Sequence, residues 1–469
     1  MQRSKRLTIL LGILAVIAVV TIVVMQYEEK QEEIETSGEV VLAVDPDTVQ
    51  SLSWSYEDET YAFHREEGAW QYDTDAAFPV DEEKIGGLLG VFESFGAAFV
   101  IEDVTDESQY GLDDPVCTID FATEDAEYAI RLGDFSAMDS QRYVSIGDGK
   151  VYLASADPLN EFDAALPDLI DNDEVPSFDT VDAIRFDGAE TYQIVYQEYT
   201  EDSSYTYCSD DVYFVQQDED MLPLDTERVD SYLSSMESLS LTDYATYNAA
   251  EEDLAAYGLD DPELSVTVSY TPEDSGEAAE FTLHISRDPS ERAQEDAPAD
   301  DADGEEEEEI TAYARVGESQ IVYRISGDSY EALMAASYDD LQHYEVLTAD
   351  FADVTGLDIT LEGESYAITS KGSGEDKTFY YGEEELNIAD LQSALETMSA
   401  ASFTEEEPTQ KEEIRLTVHL DNAAHPSVAI ALYRYDGEQC LAVVDGEPVS
   451  LIPRSYAVDL IEAVNAIVL

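Results

Sequence analysis

The sequence predicts an α+β protein: an N-terminal transmembrane helix followed by three related modules of antiparallel strands with packed helices. Three observations lead there. The first is an uninterrupted apolar run near the N-terminus. The second is a six-residue segment that recurs unchanged in the chain. The third is the order of helical and alternating apolar patterns around each recurrence, which repeats as well.

Leu7 to Met25 holds no charged residue, and only Thr8, Gly12 and Thr21 interrupt its Ile, Leu, Val and Ala. About 19 residues at ~1.5 Å each span roughly 28 Å, close to the hydrocarbon thickness of a bilayer. Arg3, Lys5 and Arg6 precede the run, and Glu28, Glu29, Glu32 and Glu33 follow it. Basic flanks stay in the cytoplasm, so residues 1–6 are expected inside and the bulk of the chain outside. No small-x-small cleavage site follows the run, and no cysteine follows it closely, so an uncleaved anchor is expected over a signal peptide or lipoprotein. Residues 26–40 read as an acidic tether.

Tyr110-Gly111-Leu112-Asp113-Asp114-Pro115 returns as Tyr257-Gly258-Leu259-Asp260-Asp261-Pro262. Ahead of each copy lies a helical spine, Ile85, Leu89, Phe92 and then Val229, Leu233, Met236, stepping by four and three as one helix face does. Asp81 and Asp225 stand where an N-cap belongs. After each copy the apolar residues alternate: Cys117, Ile119, Phe121, and Leu264, Val266, Val268, Tyr270. Further strands over Tyr128–Leu132 and Phe281–Ile285 follow. A hairpin comes next, over Arg142–Ser155 about Asp148-Gly149 and over Tyr313–Ser326 near Gly317-Glu318. A short helix, Pro158–Leu166 or Ser329–Ala336, closes each module.

A third, degenerate copy has Asn387 as cap and the spine Leu391, Leu395, Met398. Strands follow at Ile414–Leu420 and Val428–Leu432, then a hairpin over Cys440–Pro453 about Asp445-Gly446 and a closing helix over Tyr456–Val464. Residues 405–413 stand in place of the signature. Each module opens with two strands: Val49–Tyr56 and Tyr61–Arg65, Val181–Phe186 and Gln193–Tyr196, Thr355–Leu361 and Tyr366–Thr369. The expected boundaries are 41–176, 177–345 and 346–469, with helices on one face of each sheet. Residues 287–309, ending in five glutamates, are read as a disordered loop inside the second module.

The chain has 108 Asp plus Glu against 21 Lys plus Arg, a formal net charge of −87, yet 44% of its residues are hydrophobic. Such a chain can build cores and carry its acids on the surface. The charge argues against nucleic acid and anionic lipid head groups as partners, since both are polyanions. Cations and basic partners are permitted by it.

No site for chemistry is legible. There is no HExxH, nucleophile elbow, phosphate-binding loop or dinucleotide fingerprint. His64, His284, His343, His419 and His425 form no ligand pattern. Gly147-Asp148-Gly149-Lys150 falls in a hairpin. Cys117, Cys208 and Cys440 are far apart and read as idle or buried thiols. Calcium is a conceivable ligand for Asp300, Asp301, Asp303 and Glu305, or for the paired aspartates of the signature, but no EF-hand loop fits. Tyr110, Gly111, Leu112 and Pro115, with Tyr257, Gly258, Leu259 and Pro262, read as architecture. The glycine makes a left-handed turn after a short helix, Tyr and Leu pack back, and Pro leads into the next strand.

With the anchor, the repeat and the Tyr-Gly-Leu-x-x-Pro pattern, the chain resembles a bacterial domain-of-unknown-function family, number four-three-four-zero. The residues that carry the likeness are Trp70-Gln71, the helix from Asp81, Tyr110-Gly111-Leu112 with Pro115, Leu132-Gly133, Tyr143-Val144 and Val151-Tyr152-Leu153. The resemblance implies a single N-terminal membrane segment and company with ABC-type transport components and gliding-type auxiliary subunits. It implies no catalytic residues and no cofactor. The expectation is a non-enzymatic extracytoplasmic accessory or scaffold of a cell-envelope complex. The alternative is a binder of cations, peptides or wall glycans, and an envelope hydrolase comes third.

Overall fold

The computed structural model describes residues 39–200, 203, 205–217, 220–273, 275–295, 310–372 and 377–468. The expected tail at 1–6, the membrane helix at 7–25 and all but the last two residues of the tether lie outside the described residues. Among those described, no helix is long and apolar enough to cross a membrane.

The described chain forms three nine-stranded sheets with antiparallel pairing throughout. The first sheet is built from β1 (Glu39–Leu42), β2 (Val49–Tyr56), β3 (Glu59–Glu66) and β4 (Ala69–Tyr72). Helix α1 (Glu82–Gly90) follows. Then come β5 (Phe95–Ile101), β6 (Cys117–Thr123), β7 (Glu127–Ser136), β8 (Gln141–Ser145) and β9 (Val151–Ala154), and a single turn of helix α2 (Leu159–Phe162). The spatial order is β1-β5-β9-β8-β7-β6-β2-β3-β4. Two meanders thus join side by side through β2 and β6, and the strand after the helix, β5, crosses to the far side, where it lies between β9 and the edge strand β1.

The second sheet repeats this plan. It uses β10 (Val181–Asp187), β11 (Thr191–Tyr196), β12 (Tyr213–Gln217) and β13 (Asp220–Pro223), then helix α3 (Thr226–Glu237) and β14 (Tyr244–Thr246). Its second meander is β15 (Leu264–Tyr270), β16 (Ala279–Arg287), β17 (Ala312–Val316) and β18 (Val322–Ile325). Helix α4 (Pro289–Glu295) lies between β16 and β17, and α5 (Gly327–Met334) and α6 (Tyr338–Leu341) close the module.

The third sheet has β19 (Val354–Leu361), β20 (Glu364–Lys371), β21 (Thr378–Tyr381) and β22 (Glu384–Leu386), then α7 (Ala389–Glu396) and β23 (Ser402–Phe403). Its second meander is β24 (Glu412–Leu420), β25 (Ser427–Arg434), β26 (Gln439–Val444) and β27 (Glu447–Pro453), and α8 (Arg454–Val468) ends it. Here too β23, the strand after the helix, pairs with the last strand, β27.

The alternation in the sequence becomes a main buried face in each sheet, and in the third sheet Ala431, Leu441 and Val443 form a second, smaller buried cluster. Leu357 and Ile359 of β19 and Leu416 and Val418 of β24 lie under Leu391 and Leu395 of α7 and Leu460 and Val464 of α8, all essentially inaccessible. Burying one such side chain is worth about 1.5–3 kcal/mol, so a dozen of them hold helices and sheet together. All three spines are buried: Ile85, Leu89, Phe92; Val229, Leu233, Met236; Leu391, Leu395, Met398.

Several expectations change. The stretch 287–309 is not all loop: Arg287 still belongs to β16, and 289–295 form α4. The first closing helix is one turn, Leu159–Phe162, followed by a separate 3₁₀ turn at Leu166–Leu169 with Pro167 in its first turn, where no N–H is needed. The third helix is capped differently: its N-cap is Ile388, and Asn387 Oδ1 accepts from Ala389 N–H. Compactness groups the three sheets into two units. One ends at Asn172, and the other, Asp173–Leu469, holds the second and third sheets together.

Candidate functional site

The repeated signature is a strand-entry joint. A 3₁₀ turn, Ser108–Tyr110 or Leu254–Tyr257, ends on a left-handed glycine, Gly111 at φ 68° or Gly258 at φ 71°. Leu112 and Leu259 then drop into the core. Tyr110 packs on Tyr143 of β8 with ring centroids 5.0 Å apart, and Tyr257 packs on Tyr313 of β17 at 5.1 Å. Gly133 lies against the first joint so closely that a Cβ there would stand 2.1 Å from the Tyr110 carbonyl oxygen. Pro115 and Pro262, each half-buried, lie two residues before β6 and β15. The paired aspartates point to solvent. All eight signature residues therefore have a packing role, and the joint gathers no set of reactive groups.

At the entry to the second meander the second and third modules each have an ion cluster of one glutamate and two arginines. Glu263, one residue before β15, takes Arg287 at 3.0 Å and Arg292 at 3.6 Å. Glu413, one residue before the inward Ile414, takes Arg434 at 3.2 Å and Arg454 at 3.4 Å. Burial opposes the charge on Glu263, but Arg287 and the Tyr330 hydroxyl outweigh it and hold the carboxyl below its ordinary range. The first module has Val116 at this position, and its buried ion pair is Arg142 with Asp157 at 2.8 Å, with Arg142 also donating to the Gly133 carbonyl.

The place where titratable groups converge is elsewhere, in a cleft of 240 Å³ between the second and third sheets. It forms because the connection from β11 to β12 does not turn tightly but runs out to the third module. Tyr199 there accepts from Asn422 Nδ2, and Tyr207 packs against the third core and against the His425 ring. His343, in the segment joining the two modules, gives or takes its hydrogen bond at Nε2 with Asp211, 2.8 Å away. Asp211 is 1% exposed and is also bonded by the Thr206 hydroxyl. On the other ring edge Nδ1 lies 4.0 Å from Glu345. Burial disfavours an imidazolium here, but Asp211, Asp225 and Glu345 together overcome it and raise the His343 pKa.

Asp225, His343 and Glu345 bring ligand-capable atoms within 4.8 Å of one another. They are a poor cage for a metal. Asp225 Oδ1 already accepts the N–H groups of Glu227 and Arg228 at the start of α3, and Arg228 Nε lies 3.3 Å from its other oxygen. A helix N-terminus and a guanidinium both repel a cation. Of the acids suggested for calcium, Asp300, Asp301, Asp303 and Glu305 lie outside the described residues, and those of the signature are dispersed on the surface.

The profile of a domain of unknown function, DUF4340, matches residues 70–210 and 215–417, well over half of the chain. The chain belongs to the DUF4340 family. No curated protein and no solved structure matches it. In this DUF4340 chain the first match runs from β4 through the opening strands of the second module, and the second runs from β12 into β24 of the third. The four residues between them begin at Asp211, the buried partner of His343.

The signature joint is legible in the sequence and the cleft is not. His343 stood alone in the sequence, and Asp225 was read only as the cap it also is. Tyr205-Thr206-Tyr207 and Asp210-Asp211 were the one local signal, an aromatic and acidic stretch between two strands.

Proposed function

We propose that this chain is a non-enzymatic, membrane-anchored accessory of a cell-envelope complex, with its three sheets outside the membrane and an ABC-type transporter as the partner. The observation that supports this reading is the threefold use of one sheet plan, entered in the first two modules through the same packing joint. Such an array presents broad repeated surfaces, which suits holding other proteins in place. The groups best able to do chemistry are occupied. His64 bonds Asp73, His284 bonds Ser265 and His419 bonds Asp358, at 2.6–2.8 Å. Burial pushes the Cys117 and Cys208 thiols up to about 12 and Cys440 to about 11, which leaves little thiolate at neutral pH. The apolar run 7–25 with its basic N-terminal flank supplies the anchor.

The test is crosslinking in intact cells, mild solubilisation and identification of what accompanies the tagged chain, with tagged residues 1–40 as control. Transporter subunits enriched only by the full chain are expected. Recovery of the chain alone, or of the same proteins with the control, would remove the accessory reading. A second reading, ligand binding, is favoured by one specific observation, the cleft at His343.

A further inference from the structure

We propose that the cleft between the second and third sheets binds an alkylammonium group, such as the end of a lysine side chain or of a small amine. The inference stands apart from the accessory reading, because a purified chain answers it whatever the membrane partners are.

Its first support is the chemistry of the walls. Tyr205, Tyr207 and Tyr338 line the cleft, with Glu345 and Asp445 at its polar side, and no Lys or Arg is among the lining residues. Aromatic faces attract a cation through their quadrupole, and carboxylates add a direct charge. The one basic side chain among the lining residues besides His425, His343, is already bonded to the buried Asp211 at 2.8 Å. Glu345 is 45% exposed and has no closer ionic partner among the described residues than His343 Nδ1 at 4.0 Å. Asp445 Oδ1 accepts the Ala429 N–H, and its other oxygen is left for a ligand.

The second support is an orphaned atom. His425 lines the same cleft, stacks edge-on against Tyr207, and has a buried Nε2 with no hydrogen-bond partner. Buried polar atoms are seldom left so; the atom is closed to solvent as the ring stands, and a turn of the ring towards the cleft would give its lone pair an ammonium N–H as donor. The third is size. At 240 Å³ the cleft is below the ~300–1,000 Å³ of sites for drug-sized molecules, and fits one side-chain-sized group. The fourth is a parallel at the same junction. Arg228 of α3 already lies 3.7 Å over the ring of Tyr344 while facing the Asp225 carboxylate, so an aromatic-and-carboxylate seat holds a cation a short way off.

The experiment is calorimetric titration of the full chain with N-acetyl-lysine methylamide, cadaverine and N-acetyl-norleucine methylamide, the last being the uncharged comparison. The lysine probe or cadaverine, or both, should bind saturably, and norleucine should not. Binding by the lysine probe assigns the site to a protein side chain, and binding by cadaverine alone assigns it to small amines. The double variant Glu345→Gln, Asp445→Asn should weaken the bound cation at least about tenfold. Both positions are exposed, and Asn tolerates the left-handed φ of 52° at Asp445, so the fold should survive; unchanged circular dichroism checks this. Norleucine binding as well as lysine, no saturable binding of either cation, or full binding by the folded double variant would each overturn the proposal.

Discussion

At Gly133 a single missing methyl group allows the signature joint to close. A Cβ there would meet the Tyr110 carbonyl oxygen at 2.1 Å, well inside contact distance, and the Leu112 side chain at 3.1 Å. Gly133→Ala must therefore push β7 away from the joint. Gly149 offers the contrast: it has positive φ, 82°, and open space around it, whereas Gly133 has no positive φ and only the close contacts. Gly149→Ala should cost only the backbone strain, of order 1–2 kcal/mol. Gly133→Ala should cost clearly more, by ~2 kcal/mol or above, as overpacking against rigid backbone does. Both tryptophans, Trp54 and Trp70, are buried in the first sheet, so urea unfolding followed by tryptophan fluorescence reads this unit alone. His343 supplies a second residue-scale expectation. Its pKa is raised on folding, so the stability it gives is complete below the unfolded value of about 6.5 and is lost as pH rises through the folded value. Amide exchange in β19 to β27 should quicken from pH 6 to pH 9 in the wild type beyond the intrinsic rate change. His343→Gln should remove most of that extra dependence. An equal pH response in the variant would assign the effect to other groups.

Helix caps show at the next scale how far local sequence reaches. Asp81 Oδ1 accepts the N–H groups of Glu83 and Lys84 at 2.9 and 3.0 Å. Asp81→Ala should cost about 1 kcal/mol in the same fluorescence assay, and Asp81→Asn much less. That cap, the spines and the turns at Asp148-Gly149 and Asp445-Gly446 were all legible, because each depends on residues within a few positions of one another. So were β2, β3, β10 and β19, whose strict alternation is hard to read otherwise. Strand β5 was not, since Phe95-Gly-Ala-Ala-Phe-Val-Ile lacks alternation and its support is pairing with β1 and β9, both far from it along the chain. Helix α4 was hidden by the acidic composition around it. The cleft was illegible for the same reason as β5. Its walls come from 205–211, 338–348, 425 and 444–449, and only the long β11–β12 connection brings them together.

For the molecule as a whole, charge is the dominant fact. A net −87 on 469 residues makes every folded state self-repelling, and 21 basic residues cannot offset it. Four of those 21 are committed to Glu263 and Glu413. Raising NaCl from 10 mM to 0.5 M shortens the Debye length several-fold, so the melting temperature should climb with salt. A flat or falling curve would mean that the acids are already neutralised, by bound cations or shifted protons. The charge was plain from composition, and the expected burial of apolar faces beneath it holds. The grouping of two sheets into one compact unit was not readable, because it rests on Tyr199 and Tyr207 reaching the third module.

The strands that cross over after each helix impose an order on synthesis. β5 leaves the ribosome well before β9, the strand it must pair with, and β14 leaves before the whole acidic insertion that precedes β18. Until its final hairpin arrives, each module carries a strand with one unfulfilled edge, a template for wrong partners. Closing such distant pairs is slow by nature. Three near-identical layouts in tandem sharpen the hazard, since a waiting β5 could accept the hairpin of a neighbour. The degenerate third copy, with its signature gone and its edge strand cut to Ser402–Phe403, is the least able to trade strands with the other two.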